Sequence, residues 1–357
     1  MQKSTAQLSF SDLLIHQRKL KSKFFAQLDT IIDWNQIETE ISRYYKKGKG
    51  VDGRPSYSGL LLFKMSLLQT WYGLSDYEVE LQVNDSLSFM QFTGLSLEDS
   101  VPDHSVLSRF RSIMTKAGAY ERLFETINKQ LEANQILVKK GLIVDASITS
   151  TDRKPKGKKE YEIVEDRNED TNSQNVNASC KEKVKPGVDT EAAWIKKAGK
   201  LHYGYKKHIS VDDTHGLVLS VITTAANESD MNHIVDVVAK SGCAKGTRVK
   251  ADKGYQSEQN KDELTKRGFK AHIMKKARRN KGLTEREKVY NRLISQSRFL
   301  VERTFAGIVR WFGAGKARYV GQAKMHTQHL LECMAHNLYR SPKIAITIPI
   351  GSRKLLG

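Results

Sequence analysis

The sequence predicts an α/β protein in which a mixed β-sheet flanked by helices follows an N-terminal all-α domain. Helical apolar patterns fill the first part of the chain, and strand-like patterns alternate with helical ones after residue 137. A polar, charged segment over residues 152–200 interrupts this alternation. We therefore expect a helical domain over residues 1–136 and a second domain over 137–342, with an inserted, partly disordered loop at 152–200. Residues 343–357 would form a tail.

The composition favours a polyanionic partner. The chain has 59 Lys and Arg against 40 Asp and Glu, which gives a net charge of +19 and a pI near 9.6. Neutralising phosphates releases counterions and provides affinity that does not depend on base sequence. A membrane surface would also attract a basic protein, but no apolar run approaches the roughly 20 residues of a spanning helix. We expect no membrane partner.

The N-terminus and the cysteines indicate a cytoplasmic protein. The first residues contain no apolar core of the kind that a signal peptide carries. Cys180, Cys243 and Cys333 are far apart and odd in number, which favours reduced thiols over disulfides or a zinc motif. The ten His residues show no paired ligand spacing, so we assign them no metal.

The N-terminal domain is predicted as a series of helices. Residues 11–46 indicate two of them, the second beginning after Asp33. The stretch that follows Ser58, LLLFKMSLLQTWYGL, is apolar nearly all round and predicts a central helix. Ser75 and Glu78 form a capping-box pattern that opens the next helix.

A possible DNA reader lies near the end of this domain. A turn at Pro102-Asp103 precedes the basic helix HSVLSRFRSIMTKAG, which carries Arg109 and Arg111 on its second turn. A helix, a short turn and a basic helix are the elements of a helix-turn-helix motif. Helical bundles produce the same pattern without binding DNA, so both interpretations stay open.

From residue 142 onward, the predicted order without the insertion is β, β, β, α, β, α, β, α. The first strand, LIV, ends at Asp145, and a hairpin signal around residues 214–216 joins the next two. RVKA forms a short strand that stops at Asp252. The last element is a long helix over residues 286–312, in which apolar residues recur at helical intervals without a proline.

Three acids could meet in this domain. Asp145 and Asp252 would both emerge at strand ends, and Glu302 is the one acid in the last helix after Lys288. Clustered carboxylates repel each other unless a cation compensates them, and two magnesium ions about 4 Å apart suit phosphodiester displacement. The alternatives are that the two aspartates only end strands and that Glu302 forms an intrahelical pair with Arg298.

A basic segment surrounds the last acid. Between residues 268 and 318 there are 14 Lys or Arg against 3 Glu, an excess of 14 − 3 = 11 positive charges. These charges would lie along DNA, although a solvated basic face remains the alternative. The residues singled out as DNA contacts are Lys275, Lys276, Arg278, Arg279, Arg298, Arg303 and Arg310.

Several co-linear stretches, among them LIVDASI, KADKGY and SRFLVERTFAGIVRWFGAGKARY, resemble the insertion-sequence-five family of bacterial DDE transposases. The resemblance runs from about residue 20 to Arg340. It implies a ribonuclease H-like domain that cuts the ends of a mobile element and joins them to target DNA, with two Mg²⁺ or Mn²⁺ ions as cofactors. It also implies that double-stranded DNA and further copies of this chain are partners. Asp145, Asp252 and Glu302 match the three catalytic, metal-binding acids in order.

The chain departs from the family pattern at three positions. Ser295 and Val309 stand where the last helix usually has Tyr and Lys, and Lys253 stands where a small residue is common. None of these changes removes a metal ligand. Two rivals to the transposase remain, namely an inactive DNA-binding repressor derived from one and a nuclease of the same fold.

Overall fold

In the computed structural model, the N-terminal region is a bundle of short helices. The structure describes residues 23–46, 56–157, 161–166, 177–182, 185–278 and 282–347. Within the described residues, seven helices precede the sheet: α1 Lys23–Asp29, α2 Trp34–Ser42, α3 Gly59–Tyr72, α4 Asp76–Asp85, α5 Leu87–Thr93, α6 His104–Lys116 and α7 Ala119–Ala133. The central, all-round apolar helix is confirmed as α3, which is buried over most of its length. As predicted, α2 begins after Asp33, which caps it, and the capping box of Ser75 and Glu78 is also present.

A mixed sheet forms the second region. The strands along the chain are β1 Gly141–Ser150, β2 Tyr161–Asp166, β3 Asn177–Glu182, β4 Ala193–Lys197, β5 Lys200–Asp212, β6 Val218–Ala225, β7 Arg248–Ala251 and β8 Lys270–Ile273. Strand β1 pairs antiparallel with β5 and parallel with β7, and β7 pairs parallel with β8. Both β4 and β6 pair with the other edge of β5, while β2 and β3 form a separate hairpin. The predicted ribonuclease H-like α/β fold is confirmed.

In the part of the chain that is described after β6, four helices cover this sheet: α8 Ile234–Lys240, α9 Glu258–Lys266, α10 Glu285–Phe312 and α11 Gln322–Thr347. The long helix predicted over 286–312 is confirmed as α10, and Thr284 caps it through a capping box with Glu287. Helix α11 was not predicted. It passes through Pro342, so the predicted domain boundary at residue 342 falls inside a helix.

Two local predictions are wrong. The segment 152–200 is not all loop, because β2, β3 and β4 lie within it. Strand β4 is an edge strand whose side chains are mostly exposed, so it lacks the apolar run by which a strand is recognised. Asp145 lies within β1 and not at its end, because residues 146–150 continue the pairing with β5.

One hydrophobic core joins the helical region to the sheet. It extends from Phe25 in α1 through α3 and β1 to Ile344 in α11. Helix α11 packs against both α7 and β6 and so connects the two regions. Among the described helices, none combines the length and apolarity needed to cross a lipid bilayer.

Candidate active site

The pairing of β1 with β7 brings Asp145 and Asp252 side by side. In this parallel pair Val144 lies opposite Ala251, so the next residue on each strand is one of the two acids. Asp145 Oδ1 accepts the backbone N–H of Ala146 at 2.9 Å. Asp252 Oδ1 accepts the N–H of Lys253 at 2.6 Å and caps a short 3₁₀ turn. The expected convergence of these two carboxylates is therefore observed.

Helix α10 brings the third acid to the same place. Its buried residues Ile294, Val301 and Ile308 face the core, and the helix packs against both β1 and β7. Glu302 follows Val301, so it lies beside the buried stripe. Arg298, one turn earlier on α10, lies on the same side of the helix.

The guanidinium of Arg298 lies between all three carboxylates. Its Nη2 donates to Asp145 Oδ2 at 2.9 Å, and its Nη1 is 3.5 Å from Asp252 Oδ1. The distance from Nη2 to Glu302 Oε1 is 3.9 Å, the longest of the three. The shortest contact of Arg298 therefore joins α10 to β1, and the intrahelical pair with Glu302 is not its main interaction.

The three acids differ in exposure. The side chain of Asp145 is 20% exposed, that of Asp252 33% and that of Glu302 63%. Burial raises the pKa of the Asp145 carboxyl, and the charge of Arg298 opposes this rise. Three carboxylates share one guanidinium here, so a strong local excess of negative charge remains.

The donor set fits a divalent cation. Carboxylate oxygens are the ligands that Mg²⁺ and Mn²⁺ prefer, and the uncompensated negative charge favours such an ion. Within the described ranges, no three His, Cys, Asp or Glu side chains surround one point closely enough to hold a metal. In the acid cluster the guanidinium of Arg298 takes up the space between the carboxylates. DDE chemistry implies dependence on a divalent metal, and these residues are the chemically suitable ligands.

Tyr255 is a neighbour that the sequence reasoning missed. It lies three residues after Asp252 and is 2% exposed, and its buried hydroxyl has no hydrogen-bond partner in the described part of the chain. Burial raises the pKa of this hydroxyl, and the negative charge of Asp145 adds to the effect. The sequence does show a tyrosine in the turn that follows Asp252, but it does not show that this tyrosine is buried.

A basic segment borders the site. Lys275 exchanges two hydrogen bonds with Asn291 of α10, at 2.7 Å and 2.9 Å, and the backbone of Lys276 donates to Gln256. These bonds hold the segment after β8 between α10 and the turn that follows Asp252. Lys276 and Arg278 are exposed, as are Arg303 and Arg310 on α10. Their contacts with DNA remain predictions, and Arg279 lies outside the described residues.

The two arginines of α6 have different environments. Arg109 is exposed, whereas Arg111 is buried and pairs with Asp76 at 2.6 Å. The Arg111 guanidinium also lies 4.6 Å from the centre of the Tyr319 ring. Arg111 therefore joins α6 to α4 and to the segment after α10, and we no longer place it among the DNA contacts.

Two of the three positions that depart from the family pattern lie on the site-facing side of α10. Ser295 precedes Arg298 by one turn and Val309 follows Glu302 by two turns, so both lie near the line that carries these two residues. Both side chains are exposed, Val309 to 43%. Lys253 is exposed next to Asp252. The departures change the rim of the site and leave the three acids in place.

Comparisons with known proteins identify the family. Residues 137–338 match a model described as "Transposase DDE domain", and residues 13–112 match one described as "Transposase domain (DUF772)". A similar solved structure is the cryo-EM structure of a piggyBac transposase synaptic complex with hairpin DNA. It has a TM-score of 0.43 and 10% identity and covers 97% of this chain and 77% of that chain, a likeness too distant to carry an argument. By its family models, this chain belongs to the DDE transposases, enzymes that cleave DNA and transfer its strands.

Proposed function

We propose that this transposase cuts the terminal inverted repeats of an insertion element of the insertion-sequence-five type and joins them to target DNA. Asp145, Asp252 and Glu302 are the catalytic acids of this proposal. The observation that carries it is the meeting of three carboxylates, from segments far apart in the chain, around one guanidinium. Structural ion pairs balance their charges, whereas this cluster does not.

Two Mg²⁺ or Mn²⁺ ions would activate the attacking hydroxyl and stabilise the leaving oxygen of the phosphodiester. Asp145, Asp252 and Glu302 would hold these ions. Water is the first nucleophile and the freed 3′-hydroxyl is the second. The cluster leaves its carboxylates open to solvent on the side of Glu302, where a phosphodiester can approach.

The DNA path follows the basic rim. Lys275, Lys276 and Arg278 lie in the segment that borders the site, and Arg303 and Arg310 continue along α10. Each lysine or arginine that meets a phosphate contributes affinity without reading bases. A homo-oligomer belongs to the proposal because two element ends must be held at once for joining.

A cleavage and joining assay tests the catalytic acids. Purified protein with Mg²⁺ or Mn²⁺ should nick and join DNA that carries the sequences flanking its own gene. Asp252→Asn should abolish both reactions and spare DNA binding, because the amide keeps the side-chain oxygen that accepts the Lys253 N–H. The matched control is Asp213→Asn, which changes an aspartate that pairs with Lys250 outside the cluster.

The outcomes separate the rivals. Cleavage without joined products would favour a nuclease, and binding without cleavage under either metal would favour a repressor. Cleavage that survives Asp252→Asn would remove Asp252 from the site.

A further inference from the structure

Arg298 contacts the oxygen that a metal ion needs. Asp145 Oδ1 accepts the Ala146 N–H, and Oδ2 is the other oxygen of this carboxylate. Arg298 Nη2 donates to that oxygen at 2.9 Å. On the other strand, Arg298 Nη1 approaches Asp252 Oδ1 at 3.5 Å. A cation between the two aspartates and the present position of the guanidinium therefore exclude each other.

The charge balance points the same way. Three carboxylates and one guanidinium sum to −3 + 1 = −2 when all are ionised, so Arg298 compensates only part of the negative charge. Like charges this close resist staying together without a cation. One guanidinium can keep the cluster assembled, while divalent ions would compensate its negative charge more fully.

The guanidinium is also weakly anchored on its own side. Its Nε is buried and has no hydrogen-bond partner among the described residues. Among the described ion pairs, those of the Arg298 guanidinium are with the three acids alone. Once the carboxylates bind another cation, no described ion pair holds the guanidinium in place.

We propose that Arg298 is a built-in counterion that holds the three acids together in the metal-free protein and is displaced from them when a divalent metal binds. This inference rests on the proposed function, because it assumes that the acids are the metal site. The displacement makes metal binding weaker than the three carboxylates alone would allow, since part of the binding energy is used to release the guanidinium. The side chain that is set free then carries its charge at the site where DNA phosphate would lie.

Nuclear magnetic resonance of the arginine side chains tests the displacement directly. Protein labelled with ¹⁵N at arginine should show an Arg298 Nε signal, assigned by its absence from Arg298→Lys. Saturating Mg²⁺ should shift this signal, because its environment changes when the guanidinium leaves Asp145 and Asp252. An Arg298 signal that stays in place at saturating Mg²⁺ would overturn the inference.

Metal affinity provides the second readout. In Mn²⁺ titrations followed by electron paramagnetic resonance, Arg298→Ala should bind the first ion about tenfold more tightly than the wild type, since no competitor has to leave. The matched control is Arg248→Ala, which removes an equal charge at the other end of β7 and should change affinity less than about twofold. Weaker binding by Arg298→Ala would show instead that the arginine orients the ligands and stays.

The failure of this inference is distinguishable from failure of the proposed function. If the wild type binds Mn²⁺ through Asp145 but the Arg298 signal does not move, only the displacement is wrong. If wild type and Asp145→Asn bind the ion equally, the acids are not the metal site and both proposals fail.

Discussion

Two charged clusters lie on the same face of the sheet and differ in burial and in charge balance. Asp145 lies opposite Ile209 and Ser147 lies opposite Lys207, so Asp145 and Lys207 point to one face two residues apart along the strands. Lys207 pairs with Glu332 of α11 at 2.6 Å, with side chains only 2% and 4% exposed. Gln328 donates to the second carboxylate oxygen of Glu332 at 2.8 Å.

The contrast separates a structural role from the catalytic role that we propose. The Lys207 cluster is neutral, buried and hydrogen-bonded, so it has no unused charge to offer a ligand. The Asp145 cluster carries excess negative charge and opens to solvent at Glu302. Buried balanced pairs fix one arrangement of the fold, whereas unbalanced open clusters need a further cation.

The largest expected effect is on activity. Asp145→Asn should lower cleavage by at least about a thousandfold, the scale of loss seen when one member of a catalytic unit is removed. The same change should leave the unfolding free energy equal or slightly higher, because it removes a charge that burial disfavours and relieves repulsion with Asp252. Cleavage rates and urea midpoints measured together test this prediction. A large loss of stability would show that Asp145 has a structural role.

The buried cluster should show the opposite pattern. Lys207→Met leaves the Glu332 carboxylate buried without its cation and should destabilise the protein by about 3–5 kcal/mol. Adding Glu332→Leu to the same chain should recover most of that loss, because no unpaired charge then remains. Denaturant unfolding of the three proteins checks the prediction. A Lys207→Met protein as stable as the wild type would contradict the prediction.

Arg111 extends the comparison to α6. Arg111→Met should reduce stability by about 1–3 kcal/mol, because Asp76 loses a short charged hydrogen bond. DNA affinity of the folded variant should stay within about twofold of the wild type, since this buried side chain cannot reach a phosphate. Arg109→Ala, at the exposed position nearby, is the control for stability. Loss of DNA binding in folded Arg111→Met would restore this arginine as a contact.

The smallest effect concerns pH. Burial, with a contribution from the charge of Lys207 and from His326, holds the pKa of His329 well below its ordinary value. The neutral ring bonds to Thr149 and Thr223, at 3.0 Å and 2.7 Å. Its contribution to stability is therefore complete above the unfolded-state pKa of about 6.5 and is lost progressively as pH falls below it.

His329→Gln should accordingly lose less stability than the wild type between pH 7 and pH 5. Urea midpoints at the two pH values measure this. Equal losses in both proteins would mean that His329 does not titrate differently on folding.

Much of the fold followed from local patterns. The β and α order after residue 142, the α3 helix and the α10 helix all carry apolar periodicities that sequence displays directly. Helix α11 was missed because it is buried on several sides and carries many polar residues, among them Gln328, His329 and Glu332. Those residues are satisfied by partners far away in the chain, which no local pattern reveals.

The sequence indicated which acids could form the candidate site, but it did not show how they are arranged. Asp145 and Asp252 follow apolar strand residues, and Glu302 is isolated among basic residues. The reach of Arg298 across 153 positions to Asp145 depends on how α10 packs, and so does the burial of Tyr255. Arg109 and Arg111 look alike in sequence, and packing alone distinguishes them.

Anomalous diffraction from crystals soaked in Mn²⁺ tests the central claim most directly. The account predicts anomalous density in contact with Asp145, Asp252 and Glu302, with the Arg298 guanidinium withdrawn from Asp145. Anomalous density elsewhere, with the Arg298 guanidinium still between the three carboxylates, would contradict it.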